Sequence, residues 1–281
     1  MKKLIVNADD FGLHESVNQG ILEAYKRGIV TSTSLMAGGD AFDDAVNMKR
    51  SCPGLGVGVH LTLVGAHPVS ALHLVPSLVD DNGRFPASYP VFLARLAKGR
   101  IRLSEVEREL AAQIDKVLST GLIPSHLDSH QHLHVVPGIS GIVLALARRF
   151  SLRAIRIPAE PLCFMGGLVP SVGRVIGRTG LSLLAENFRR QATEAEIAKP
   201  DRFYGMLAGG QMNEARLLAI ISQLPDGVSE IMVHPGVRDE SLAQKYPWGY
   251  HWNEELTALC AEEVKTAIKQ DAIQLISFQE L

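Results

Sequence analysis

A parallel α/β architecture in a single domain, over residues 1–281, is predicted by three observations. Short apolar runs alternate with longer helix-like stretches from one end to the other. Polar residues able to do chemistry follow the ends of several of those runs. No repeat of fixed period and no low-complexity linker divides the chain. With 46% hydrophobic and 21% charged residues, it is able to bury a large core. A formal net charge of -2 argues against nucleic acid or an anionic membrane as primary partner.

Strands are expected at residues 3–8, 31–36, 56–61, 123–128, 152–157, 202–206, 229–233 and 272–277. The clearest helix is 104–120: Ser104 and Glu107 have capping-box spacing, Val106, Leu110, Ile114, Val117 and Leu118 recur at three and four, and Gly121 follows as a stop. Further helices are expected over 16–27, closed by Gly28, and over 137–150, 213–223 and 253–270. Two stretches break the rhythm. A long loop at about 62–103 has the composition of a lid or substrate wall. An insertion at about 158–199, with an apolar, glycine-spaced part and then a charged part, reads as helical.

No apolar run reaches the length of a membrane span, the nearest, 139–147, ending at Arg148-Arg149. Asn7 interrupts the first apolar run too early for a secretory signal, so a cytoplasmic protein is expected. Cys52, Cys163 and Cys260 lack metal-site spacing and read as packing thiols.

The unusual polar residues cluster by position. Asp9 and Asp10 follow the first strand, His60 ends the third in GVGVHLTL, Asp128 and His130 end the fourth in PSHLDSHQHLH, and His234 ends the seventh in EIMVHPG. In a parallel barrel or open sheet, all strand C-termini open on one face. An extended backbone would also point His126, Asp128 and His130 to one side. Carboxylates and imidazoles without cysteine suit one divalent ion, such as zinc, manganese, cobalt or magnesium, held with positions left for water. Such an ion would compensate one aspartate and leave the other to act as a base. Each residue alone has a plainer reading: an aspartate capping a helix, a core histidine at His60, a turn anchor at His234. Four histidines between His126 and His134 exceed what packing asks for, whereas His14, His67, His73 and His251 read as surface or loop residues.

NADDFG, GVHLTL, HLDSHQHLH, RIP at Arg156 to Pro158 and the late HPG occur in the order seen in YdjC-type carbohydrate deacetylases, which the chain resembles throughout. The resemblance implies an irregular parallel (β/α) barrel, a metal held by Asp10, His60 and His130, and Asp9 as catalytic base. His126 and Asp128 are expected to support the ligands from behind. His132, Arg156, Trp248 and Trp252 are expected at the substrate, the tryptophans because aromatic faces stack on sugar rings, although they could instead seal the barrel rim. The chain departs from the family pattern at Tyr250-His251-Trp252, where an arginine commonly precedes Glu-Leu.

The expected reaction is metal-dependent removal of an N-acetyl group from an amino sugar. His234 is the candidate acid for the departing amine, with His132 its rival. PSLVDDNGRF further resembles the hopanoid-associated branch, which implies a lipid-linked sugar and a peripheral membrane contact; a homodimer is left open. Two alternatives stand: a barrel phosphoesterase or amidohydrolase using His130, His132 and His134, and a non-catalytic sugar- or metal-binding protein.

Overall fold

Strand β1 (Lys2–Phe11) organises the sheet. Along one side it pairs with β7 (Gly227–Val233); along the other it pairs first with β8 (Gln274–Leu275) and then with β2 (Ser32–Leu35). The computed structural model describes residues 1–162, 164 and 172–281, apart from the side chains of residues 172 and 174. With β3 (Gly56–Leu61), β4 (His126–Ser129), β5 (Ala154–Ile155) and β6 (Arg202–Tyr204), the order is β5-β4-β3-β2-β1-β7-β6, and every pairing is parallel. A parallel bridge from Ala154 to Ala198, just before β6, continues the curl, giving an irregular parallel (β/α) barrel.

Alternation along β1 separates two environments. Leu4, Val6 and Ala8 join the large core beneath the helices, whereas Ile5 joins a small cluster with Ala154, Ile276 and Phe278. Asn7 and Asp9 follow Ile5 in parity, so the inside of the barrel changes from apolar to polar toward the strand C-termini.

The helices are α1 (Glu15–Arg27), α2 (Phe42–Arg50), α3 (Tyr89–Ala97), α4 (Leu103–Ser119), α5 (Ile139–Arg149), α6 (Val172–Glu194), α7 (Glu214–Ile221), α8 (Asp239–Lys245), α9 (Trp252–Cys260) and α10 (Glu262–Gln270). Among the described residues, no helix is long and apolar enough to cross a membrane.

Several expectations are corrected. The helix expected over 253–270 is two, broken at Ala261 (ψ 138°), where Glu262 and Glu263 suit a new helix N-terminus. The strand expected from 123 begins only at His126, after Pro124, and those expected over 152–157 and 272–277 shrink to two residues each. His14 is a loop residue, as expected, and it also caps α1 through Nδ1, which accepts the Ser16 N–H.

The Ser104–Glu107 capping box is absent, because α4 starts at Leu103 and has no side-chain cap. Its polar residues hold the long loop instead. Glu105 accepts the Ser77 N–H at 2.7 Å, Glu109 accepts those of Val69 and Ser70, and Gln113 bonds both the N–H and the carbonyl of Thr62. Spacing of four puts these three on one face of α4. The loop is therefore pinned by its backbone and carries α3. Within the insertion, α6 agrees with the helical expectation, while Cys163 and residues 165–171, Leu168 included, lie outside the described residues.

Candidate active site

The adjacent aspartates depend on an irregularity in β1. Ala8 pairs with Thr33 and Phe11 with Leu35, so three steps on β1 match two on β2. The extra residue makes a β-bulge, which re-aims side chains. Asp10 occupies it with φ 66°, a left-handed conformation that aspartate tolerates better than most residues. A regular strand would send Asp9 and Asp10 to opposite faces. Here both approach His60 Nε2, Asp10 Oδ1 at 3.4 Å and Asp9 Oδ2 at 4.0 Å.

His60 and Asp128 are register partners on β3 and β4, and His60 Nδ1 lies 2.9 Å from Asp128 Oδ1. His130 follows β4 and brings Nδ1 to 2.9 Å from Asp10 Oδ1. Ser129 is still extended, so His130 keeps the parity expected of it with His126 and Asp128. His130 opens a 3-10 turn in which Gln131 and His132 are left-handed. Neither nearby imidazole is aimed to donate to Asp10; among the described residues both its carboxylate oxygens are buried without a donor, and His130 Nε2 is buried without a hydrogen-bond partner.

A carboxylate lacking donors, facing two imidazole nitrogens, is a donor set suited to a divalent cation. His60 would present Nε2 while Nδ1–H is oriented by Asp128, the usual second support of a metal-bound histidine. Burial works against ionisation of Asp10, but the adjacent imidazoles, His130 first and then His60, hold its carboxyl well below the usual range. Burial likewise disfavours the charged form of His60. Asp128, Asp10 and Asp9 outweigh it and raise the imidazole to about 10, so a cation here would compete with a proton.

Beneath this cluster lies Arg156, fully buried. Its Nη1 and Nη2 meet Asp9 Oδ2 and Oδ1 at 2.6 and 2.7 Å, Nη1 also meets Asp128 Oδ2 at 2.7 Å, and Nε meets Glu230 Oε1 at 2.7 Å. The expectation that Arg156 contacts substrate is corrected: its guanidinium is spent on three carboxylates and has no exposed surface. Its effect is to fix Asp9, bidentately. Asn7 adds a bond to Asp9 Oδ1 and another to Ser34, whose hydroxyl donates to Asp128 Oδ2 and contacts His126 Nε2. His126 is thus separated from His60 by Ser34 and Asp128, stacked on Phe278, its pKa lowered to about 3 by burial first. Gly58 makes room for it, since a Cβ there would fall 2.4 Å from the His126 ring.

His132 is buried near Phe203, with Nδ1 unpartnered among the described residues. His134 uses Nδ1 on the Ser129 hydroxyl and Nε2 on the Arg156 carbonyl, so its ring is structural. His234 follows Val233, the partner of Ala8, which puts it beside Asp9 in register. Its ring stands 4.8 Å from Tyr250.

The two tryptophans separate. Trp248 is half-buried, 5.3 Å from the His130 ring, whereas Trp252 is 1% exposed in the core. The substrate contact expected of Trp252 is corrected, because the first turn of α9 turns its ring inward. Trp252→Ala should cost about 3–5 kcal/mol of stability. Trp248→Ala should raise KM with little change in Tm, and thermal melts beside kinetics check both.

No role at the site is expected of Ser34, Asn7 or Glu230 from the sequence, although Asn7 and Glu230 are polar residues at inward parity among apolar neighbours. A cavity of about 470 Å³, bordered by Glu160, Phe164, Leu183 and Arg202, shares no residue with this cluster. Chemistry rather than cavity size locates the site.

Comparison with known proteins agrees over the full length. The profile of the family described as YdjC-like protein matches residues 3–270. A carbohydrate deacetylase of Brevibacillus brevis is 36% identical, covering 99% of both chains, and one of Geobacillus stearothermophilus is 32% identical, covering 98% of this chain and 96% of its own. A crystal structure from Enterococcus faecalis V583, described as a candidate cellobiose-phosphate cleavage protein, superposes with a TM-score of 0.81 at 31% identity, over 99% of this chain and 98% of its own. Matched from its first strand into its last helix, and with relatives similar from end to end, the chain belongs to the YdjC-like protein family.

Proposed function

We propose that this protein is a metal-dependent carbohydrate deacetylase, removing the N-acetyl group of an amino sugar. The observation that carries the reading is the Asp10 carboxylate, buried without a hydrogen-bond donor and facing His60 and His130. The names of its relatives support the same chemistry.

Asp10, His60 and His130 would hold zinc, manganese, cobalt or magnesium. Such an ion supplies a Lewis acid for the acetamide carbonyl and lowers the pKa of water beside it. Asp9 takes the water's proton. Arg156 and Asn7 occupy Oδ1, while Oδ2 bears only the Arg156 bond and keeps a lone pair for that proton. His234, beside Asp9 in register, protonates the departing amine, a poor leaving group otherwise. Trp248 offers a face for the pyranose ring. The phosphoesterase alternative is disfavoured, since neither His132 nor His134 belongs to a potential metal-holding group among the described residues.

Acetate release from N-acetylglucosamine oligomers, compared with phosphate release from a generic phosphoester after adding metal, tests the reading. Acetate alone is expected; phosphate alone would overturn it. The lipid-linked reading is finer and rests on the PSLVDDNGRF resemblance. An N-acetylglucosaminyl amphiphile in the same assay should show the higher kcat/KM if that reading holds.

A further inference from the structure

We propose that Glu255 is a positioning residue for His234; this rests on reading His234 as the proton donor. β7 ends at Val233, so the main-chain N–H of His234 leaves the ladder without a strand partner. Glu255 Oε2 accepts it at 2.5 Å, while Oε1 accepts the N–H of Met212 at 2.9 Å. Glu255 is fully buried in the first turn of α9, and Met212 belongs to the connection from β6 to α7. One carboxylate thus joins three segments at the mouth of the barrel.

A buried carboxylate is a costly anchor if anchoring were its whole purpose. Burial raises its pKa against the opposing effects of His234 and of the two N–H groups. Two other bonds already tie the same segments: Gly236 N–H to the Trp252 carbonyl at 3.1 Å, and His251 N–H to the Gly210 carbonyl at 2.7 Å. What Glu255 adds beyond those ties is an acceptor for two main-chain N–H groups, that of Met212 and that of His234. The hold on His234 matters because its Nδ1 has no hydrogen-bond partner among the described residues, so the ring depends on its own backbone as well as on its packing against Tyr250.

The test compares Glu255→Gln, His234→Ala and the double variant in the metal-loaded protein. Acetate release is read on an N-acetylglucosamine oligomer and on an activated acetyl ester, with bound metal and thermal melts measured alongside. Gln presents one acceptor oxygen where two N–H groups need acceptors. Glu255→Gln should lower amide turnover about 10–100-fold and ester turnover less than about 3-fold, since only the amine leaving group needs a proton donor. Bound metal should be unchanged, and the double variant should turn over the amide no more slowly than His234→Ala. If Glu255→Gln does not fold, Glu255→Asp, too short to reach both N–H groups, replaces it.

Equal losses on amide and ester, or losses that multiply in the double variant, would overturn the proposal. So would a silent Glu255→Gln beside a His234→Ala that selectively loses the amide, and this outcome leaves the proton-donor reading intact. An unchanged amide-to-ester ratio in His234→Ala overturns both.

Discussion

Asp10→Asn and Asp9→Asn should separate binding from chemistry although the two residues are neighbours. Asp10 has two buried oxygens without donors and faces both imidazoles, so an amide there removes the only anionic donor proposed for the cation. Metal and turnover should be lost together. Asp9 is held by Arg156 and Asn7, and its Oδ2 is 4.0 Å from His60. Asp9→Asn should keep the metal while slowing acetate release by about 10²–10⁴-fold, the range for losing a general base. Metal content measured beside turnover decides it. Retention of metal by both variants would remove Asp10 from the ligand set.

Arg156→Met should be the most destabilising single change in the barrel interior. Asp9, Asp128 and Glu230 converge on one guanidinium, and its removal leaves three buried carboxylates without their shared counter-charge. Breaking a buried ion pair by removing one partner costs about 3–5 kcal/mol, enough to unfold a marginal domain. Arg156→Lys should recover little, because an ammonium cannot reproduce the fork.

Glu230 sets a pH dependence on the same network. Burial raises its pKa from 4.5 to about 7 despite Arg156. The folded state therefore binds this proton more tightly than the unfolded state does. The contribution is fully present below about 4.5 and is lost as pH rises through about 7. Glu230→Gln should flatten Tm against pH across that window, an effect on the order of 3 kcal/mol. A slope identical to that of the unsubstituted protein would exclude Glu230 as its source.

Much of this arrangement was legible because parallel strands deliver their C-termini to one face. Asp9, His60, Asp128 and His234 could be gathered from chain order alone. Asp10 reaches the cluster through local geometry that alternation cannot express, a bulge with a left-handed aspartate, whereas His130 follows an extended Ser129 and joins on the parity it shares with His126 and Asp128. The motif marks Arg156 but not its role, since its partners lie on β1, β4 and β7 and periodicity carries no long-range pairing. Glu230 leaves a usable trace, a charged side chain at inward parity beside Ile231, Met232 and Val233, whereas Ser34 sits among other hydroxyl residues and leaves none. Trp252 shows the opposite failure. Aromatic composition suggested a sugar platform, whereas the helical phase of α9 buries the ring.

The most direct measurement is a titration of chelator-stripped protein with zinc or manganese, reading bound metal and acetate release from an N-acetylglucosamine oligomer together. Acetate release should rise from a negligible base in proportion to the first equivalent bound, and Asp10→Asn should abolish both binding and release. Full acetate release from the stripped protein, or binding and release left intact in Asp10→Asn, would contradict a metal-dependent deacetylase built on Asp10, His60 and His130.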